Sequence, residues 1–123
     1  MADSAEEVMA LYRARINGHD FDRLAALIAD NAVFWFGDGS HVGLASIRAA
    51  FEATWKRFEN ETYWLEDLQW LAVGSAAASC IYGYCWRATI GGVERSGQGR
   101  GTSVVRDGRT GWQIVHEHLS ALP

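Results

Sequence analysis

The order of elements predicts an α+β cone, in which three N-terminal helices cover one face of a curved, mainly antiparallel sheet and enclose a cavity between the two layers. Three observations carry that expectation. Apolar residues recur at helical spacing up to Phe58, they alternate with period two from Glu61 onward, and the last third carries hairpin turn residues. In that hairpin Asp107-Gly108, followed by Gly111, supplies positive-φ positions, and Val, Ile, Thr and Trp flank them up to Ser120. It forms the centre of the expected sheet.

Ser4-Ala5-Glu6-Glu7 has the spacing of a capping box and opens a helix whose stripe is Val8, Leu11, Tyr12 and Ile16, ending near Gly18. Asp20 caps a second, shorter helix with Phe21, Leu24, Leu27 and Ile28 facing inward. Residues 32–36 are a run of β-formers closed by a loop over 37–40. A third helix starts at Leu44, with Ile47, Phe51, Thr54, Trp55 and Phe58 on one face and Arg48, Glu52, Lys56, Arg57 and Glu59 on the other. Over 61–73 strict alternation groups Trp64, Glu66, Leu68 and Trp70 against Tyr63, Leu65, Asp67 and Leu71. Strands over 76–90, 93–105 and 112–120 follow, with Gly74-Ser75 and Gly91-Gly92 as turns.

The 123 residues suit one domain spanning 1–123, and six tryptophans are enough for some to wall a cavity beside those that fill a core. A net charge of −4 without a basic patch argues against nucleic acid and anionic membrane as partners. There is no apolar run of membrane-spanning length, and Met1-Ala2-Asp3-Ser4 lacks the basic and apolar regions of a signal peptide, which predicts a cytoplasmic protein. Cys80 and Cys85 share one strand at an odd offset, about 16 Å apart and on opposite faces, so they suit a reducing compartment better than a disulfide. No phosphate-cradling glycine loop and no complete metal set is present, so no cofactor is expected.

The helix pair followed by Ile28-Ala29-Asp30-Asn31-Ala32-Val33, Gly43 before the third helix, and the closing run Trp112-Gln113-Ile114-Val115-His116-Glu117-His118-Leu119-Ser120 resemble the SnoaL-like branch of the NTF2-like proteins. The closing strand is also similar to that of the calcium/calmodulin-dependent protein kinase II association domain. The resemblance implies the cone fold along the whole chain, and a superfamily of isomerases, cyclases, epoxide hydrolases, binding modules and assembly domains. Matched to ketosteroid isomerases, the dienolate-stabilising tyrosine falls on Tyr12, the general base on Phe36 and the second oxyanion acid on Ser103. Phe36 cannot take a proton, so that mechanism is not available. The cavity arginines of the association domain fall on Gly83, Ser103 and Leu119. Both comparisons put Ser103 and Leu119 on the cavity face.

Alternation from Leu119 then turns Val115 and Glu117 into the cavity, and Trp112, Ile114, His116, His118 and Ser120 outward. A carboxyl group near aromatic walls is tuned towards general acid or base work, so Glu117 and Tyr12 are the catalytic candidates. The bland alternative is that Glu117 pairs with Arg87 or Arg100 and is structural. His116 and His118 share a face about 7 Å apart, but with only His19 and His41 besides they lack a third metal ligand. They suit instead an outer sheet face that joins Trp112, Ile114 and Trp86 or Trp70 in a homodimer contact. The expected function is binding of a small apolar or aromatic molecule by Tyr12, Trp35, Phe36, Trp55, Ser103, Glu117 and Leu119, with Phe58 and Trp64 as further walls. The alternatives are an isomerase, cyclase or hydrolase of small metabolites using Glu117 and Tyr12, and a homo-oligomeric assembly module without a ligand.

Overall fold

The computed structural model describes residues 1–123, and the capping signals act where the sequence places them. Ser4 Oγ accepts from the Glu7 N–H at 3.0 Å and opens α1 (Ala5–Arg15), while Glu7 reaches back to the Asp3 N–H at 3.2 Å. A 3₁₀ turn (Ile16–Gly18) leads to His19 in the left-handed region, and Asp20 caps α2 (Phe21–Ala25). α2 is shorter than its apolar pattern. Leu27 and Ile28 are buried beyond its end, and Ile28 already begins β1 (Ile28–Phe36). The expected loop after β1 is largely a second hairpin arm, β2 (Gly39–Val42). Gly43, at φ 87°, donates to Ala32 O at 2.8 Å and turns the chain into α3 (Leu44–Arg57), which buries Ile47 and Phe51.

Four long strands follow: β3 (Glu59–Val73), β4 (Ala77–Ile90), β5 (Val93–Gly108) and β6 (Gly111–Ala121). The sheet order is β2-β1-β6-β5-β4-β3, antiparallel throughout except where β1 runs parallel to β6. The β5–β6 hairpin therefore sits in the middle of the sheet. Both cysteines are free and buried, as their spacing predicts.

Bulges decide which side chains face the helices. In β3 the register shifts between Glu66 and Gln69, where Asp67 adopts φ 54°, so Leu68 and Trp70 join Tyr63 and Leu65 against the core. Strict alternation separates these pairs, and the extra residue reunites them. In β6 the pairing jumps from Val104–His116 to Val105–Ile114 and leaves Val115 without a partner. Trp112 and Ile114 are thereby turned into the core, with Ile114 fully buried, instead of outward beside His116. Val115, expected in the cavity, is instead the half-buried bulge residue. Trp70 lies opposite the buried Cys80, and Trp86 also faces the helix side, so the expected outer patch of Trp112, Ile114, Trp70 and Trp86 does not form.

On the concave side of β5, Gly97, Gly99 and Gly101 stand directly opposite Trp86, Tyr84 and Tyr82 of β4. The rings lie across the bare backbone. A Cβ on Gly97 would come within 2.5 Å of Trp86 Nε1, one on Gly99 would strike the Tyr84 ring and the Ser120 carbonyl, and one on Gly101 the Tyr82 ring and Leu119.

β3 is a sheet edge, and over 61–65 its outward backbone groups are taken up by side chains. Arg13 donates to Leu65 O at 3.0 Å, and the Asn17 amide both accepts from Tyr63 N–H at 2.8 Å and donates to Tyr63 O at 3.0 Å. The His19 ring donates to Glu61 O at 3.0 Å. These side chains act as a substitute neighbouring strand.

Gly101→Ala is expected to cost about 1–3 kcal/mol through overpacking, since Tyr82 must leave its place. Gly99→Ala is expected to cost more, because the Ser120 backbone cannot swing aside as a side chain can. Urea unfolding midpoints equal to the parent's for both variants would refute the ring-over-glycine account.

Candidate functional site

Between α3 and the concave sheet face lies a cavity of about 310 Å³. Its walls are aromatic. Phe51 and Trp55 come from α3, Phe58 from the residue that ends it, Tyr63 from β3, Tyr84 and Trp86 from β4, and Phe36 from the end of β1. They hold one another edge to face, tilted or stacked: Phe51 meets the edge of Trp55 at 5.6 Å, Phe58 lies tilted to Trp86 at 4.8 Å, and Tyr63 stacks on Tyr84 at 5.9 Å between centroids. Exposed Gly37, Asp38 and Arg57 form the rim, while Tyr12, Leu119 and Glu117 close the inner end.

Glu117 is 1% exposed. In register across the sheet it stands in a row with Phe34, Ser103, Cys80 and Trp70, of which the first three are completely buried. Two tyrosine hydroxyls donate to its carboxyl group, Tyr12 from α1 and Tyr82 from β4, each at 3.4 Å. These are long for O–H···O bonds, so the group is held loosely. The Tyr82 hydroxyl lies 2.7 Å from Ser103 Oγ and shares a hydrogen bond with it. No buried side-chain polar atom is left without a partner. Burial raises the Glu117 carboxyl to about 7, with the two tyrosine bonds pulling the other way. Burial first, and then the nearby Glu117 charge, push the Tyr12, Tyr63 and Tyr82 hydroxyls well above the ordinary tyrosine range.

A second carboxyl group lines the same space. Glu61, half-buried at the start of β3, is also raised by burial to about 7. Behind the wall formed by Tyr12, Ile16 and Tyr63 is a smaller hollow of about 220 Å³, bounded by Arg13, Asn17, Trp64 and Leu65.

Residues 5–123 match the SnoaL-like domain. The chain belongs to the SnoaL-like domain family. Solved structures agree on the NTF2-like fold. An NTF2-like superfamily protein from Salmonella enterica superposes with a TM-score of 0.86 at 23% identity, over 95% of this chain and 87% of that one. A Xanthomonas campestris structure provisionally assigned as a calcium/calmodulin dependent protein kinase II association domain gives a TM-score of 0.81 at 20% identity, over 99% and 96%. A Novosphingobium aromaticivorans structure provisionally assigned as an aromatic ring hydroxylase gives 0.83 at 19%, over 98% and 87%. No curated protein matches the chain.

Of the residues singled out in this SnoaL-like sequence, Tyr12, Phe36, Trp55, Phe58, Glu117 and Leu119 come together around the cavity. Ser103 and Trp35 do not. Ser103 is buried behind Tyr82 and reaches the site only through that hydroxyl. Trp35, 45% exposed, points from the opposite face of β1 and stands edge-on to His116 and His118 at 4.9 and 5.5 Å. Its neighbour Phe36 takes the inward place, as alternation along a strand requires. Trp64 borders the smaller hollow instead of the cavity and donates to Glu66 Oε1 at 3.0 Å. Glu117 makes no ion pair: exposed Arg87 lies over Trp64, and exposed Arg100 pairs in register with Ser120. The purely structural ion-pair reading of Glu117 is thereby overturned.

Tyr82, Glu61, Tyr63, Tyr84 and Trp86 were missed. A signal for three of them was present, since Tyr82, Tyr84 and Trp86 recur with period two and Gly97, Gly99 and Gly101 repeat at the same spacing one hairpin later.

Because the folded carboxyl of Glu117 holds its proton up to about 7 and an unfolded one releases it near 4.5, the folded state binds more protons in that window. Stability is therefore full below the lower value and falls as pH rises towards the upper one. Glu117→Gln is expected to exceed the parent by at most about 3 kcal/mol at pH 8, with the gap closing at pH 5. Thermal unfolding of both proteins across pH 5 to 8 checks this, and parallel curves would contradict it.

Proposed function

We propose that the protein binds a small, predominantly apolar or aromatic molecule in the cavity between α3 and the concave sheet face. One observation supports this above the others: a space of about 310 Å³, walled by aromatic rings, ends on a single buried carboxyl group. Apolar walls supply affinity in proportion to the area they cover, and the few polar groups at the end fix orientation. Here those groups are Glu117 and Tyr12, each hydrogen bond adding about 1 kcal/mol net.

The poise of Glu117 favours a second reading, proton transfer on the bound molecule. A carboxyl group held near neutral pH has both its acid and base forms at hand, and Tyr12 and Tyr82 donate to it from two sides. In that reading Glu117 moves the proton and Tyr12 stabilises developing negative charge, in an isomerisation, cyclisation or hydrolysis of a small metabolite. The outer sheet face belongs to the same proposal as the contact of a homodimer, with Trp35, His116 and His118 at its centre in place of the tryptophans now found in the core. A cytoplasmic setting is proposed as well, supported by the two free buried cysteines. No helix is long and apolar enough to cross a membrane.

A panel of aromatic and apolar compounds is expected to raise the unfolding temperature of the parent protein at pH 7 and to lose most of that effect in Trp55→Ala. A panel without any stabilising member would sink the binding reading. For compounds that bind, Glu117→Gln separates the two readings: affinity within about tenfold and no turnover by either protein supports binding, and turnover by the parent alone supports catalysis.

Trp35→Glu is expected to convert a dimer to a monomer in light scattering. A parent that is monomeric contradicts the dimer, and particles larger than a dimer favour an assembly module.

A further inference from the structure

We infer, resting on the reading of this cavity as a binding site, that its ligand is an organic amine, bound with its apolar body among the rings and its ammonium group at Glu117, with Glu61 adding negative charge to the same space.

The charges that face the cavity are unbalanced. Asp38, Glu61 and Glu117 line it against the single cation Arg57, which is exposed at the rim with its guanidinium 5.5 Å from the Phe58 ring centroid. Neither Glu61 nor Glu117 forms an ion pair, since the salt bridges of the molecule join His41 to Asp38 and Arg48 to Asp22 and Glu52. Two carboxyl groups thus line the cavity unpaired, with Arg57 as the one cation of its lining. An anionic ligand would meet them with like charge, and a neutral one would strip water from Glu61 without compensation.

The walls suit the same chemistry. Trp55, Trp86, Tyr63 and Tyr84 bring π-systems whose faces attract an ammonium group. Glu117 also has acceptor capacity to spare, because its tyrosine bonds are 3.4 Å long and an ammonium donor forms shorter, charge-assisted ones.

An ammonium ligand requires Glu117 ionised, so binding must release a proton near neutral pH. The groups that face Glu117 are Tyr12 from α1, Tyr63 from β3, and Tyr82 and Cys80 from β4, with neutral Ser103 from β5. Burial holds all four ionisable partners above their ordinary values, Cys80 at about 11, so none of them loses its proton in this range. Glu61 in the cavity, together with Asp38, its partner His41 and Arg57 at the rim, completes the charged surroundings.

The test is a titration of the full chain with three probes of one shape, 2-naphthylmethylamine, 2-naphthylmethanol and 2-naphthoate, followed by tryptophan fluorescence and calorimetry at pH 6 and pH 8. The amine is expected to bind about tenfold or more tightly than the alcohol at pH 8, to weaken at pH 6, and to release protons on binding. Glu117→Gln should remove most of that advantage of the amine over the alcohol and Glu61→Gln a smaller part of it, and Glu61→Gln serves as the second variant if the first alters the fold. An alcohol or naphthoate that binds as well as the amine at pH 8 overturns the amine and leaves the cavity as a binding site. Binding by none of the three overturns both.

Discussion

Gly97, Gly99 and Gly101 leave one side of β5 bare, and Tyr82, Tyr84 and Trp86 fill that space by lying across it from β4. With side chains on β5 the same rings would be driven up into the hollow below α3. Laid flat, they have two effects at once. Tyr84 and Trp86 become walls, and Tyr82 is aimed so that its hydroxyl meets Ser103 and Glu117. Open space and polar end thus share one cause in the local sequence, a repeat of small residues set opposite a repeat of large ones.

The second constraint is the burial of Glu117. A carboxyl group at 1% exposure without a cation nearby would cost several kcal/mol if it stayed charged, and the fold avoids most of that by letting it keep its proton near neutral pH. Tyr12 and Tyr82 satisfy the oxygens without neutralising the charge. An apolar residue in this place would avoid that cost but leave the buried Tyr12 hydroxyl without its partner. The core therefore gives up stability at the one point where it meets the cavity, as functional sites commonly do.

Much of this was readable in the chain. Ser4 and Asp20 cap the helices they were expected to cap, Gly43 turns where only a positive φ will do, and Asp107-Gly108 with Gly111 closes the central hairpin. Tyr12, Phe36, Trp55, Glu117 and Leu119 line the hollow as the sequence predicts. What escaped has one main origin. A bulge adds a residue to a strand without leaving a mark in a period-two pattern, so Trp112, Ile114, Val115 and Trp70 were assigned to the wrong side. Only weak traces existed, an aspartate at Asp67 within an otherwise apolar alternation and the adjacent pair Ile114-Val115. Ser103 failed differently: it is on the expected face, but Tyr82 stands between it and the cavity. Glu61 carried no mark at all, being one acid of a strand whose other acids, Glu59, Glu66 and Asp67, are exposed.

The side chains that occupy the free edge of β3 all come from the first nineteen residues. They cover the backbone of 61–65, while Leu71 and Val73 towards the far end of the strand stay exposed. The edge is closed where α1 and the turn after it lie beside it, and open further along. The same three residues that complete a hydrogen-bond inventory thus also deny that stretch of the edge to a strand of another chain.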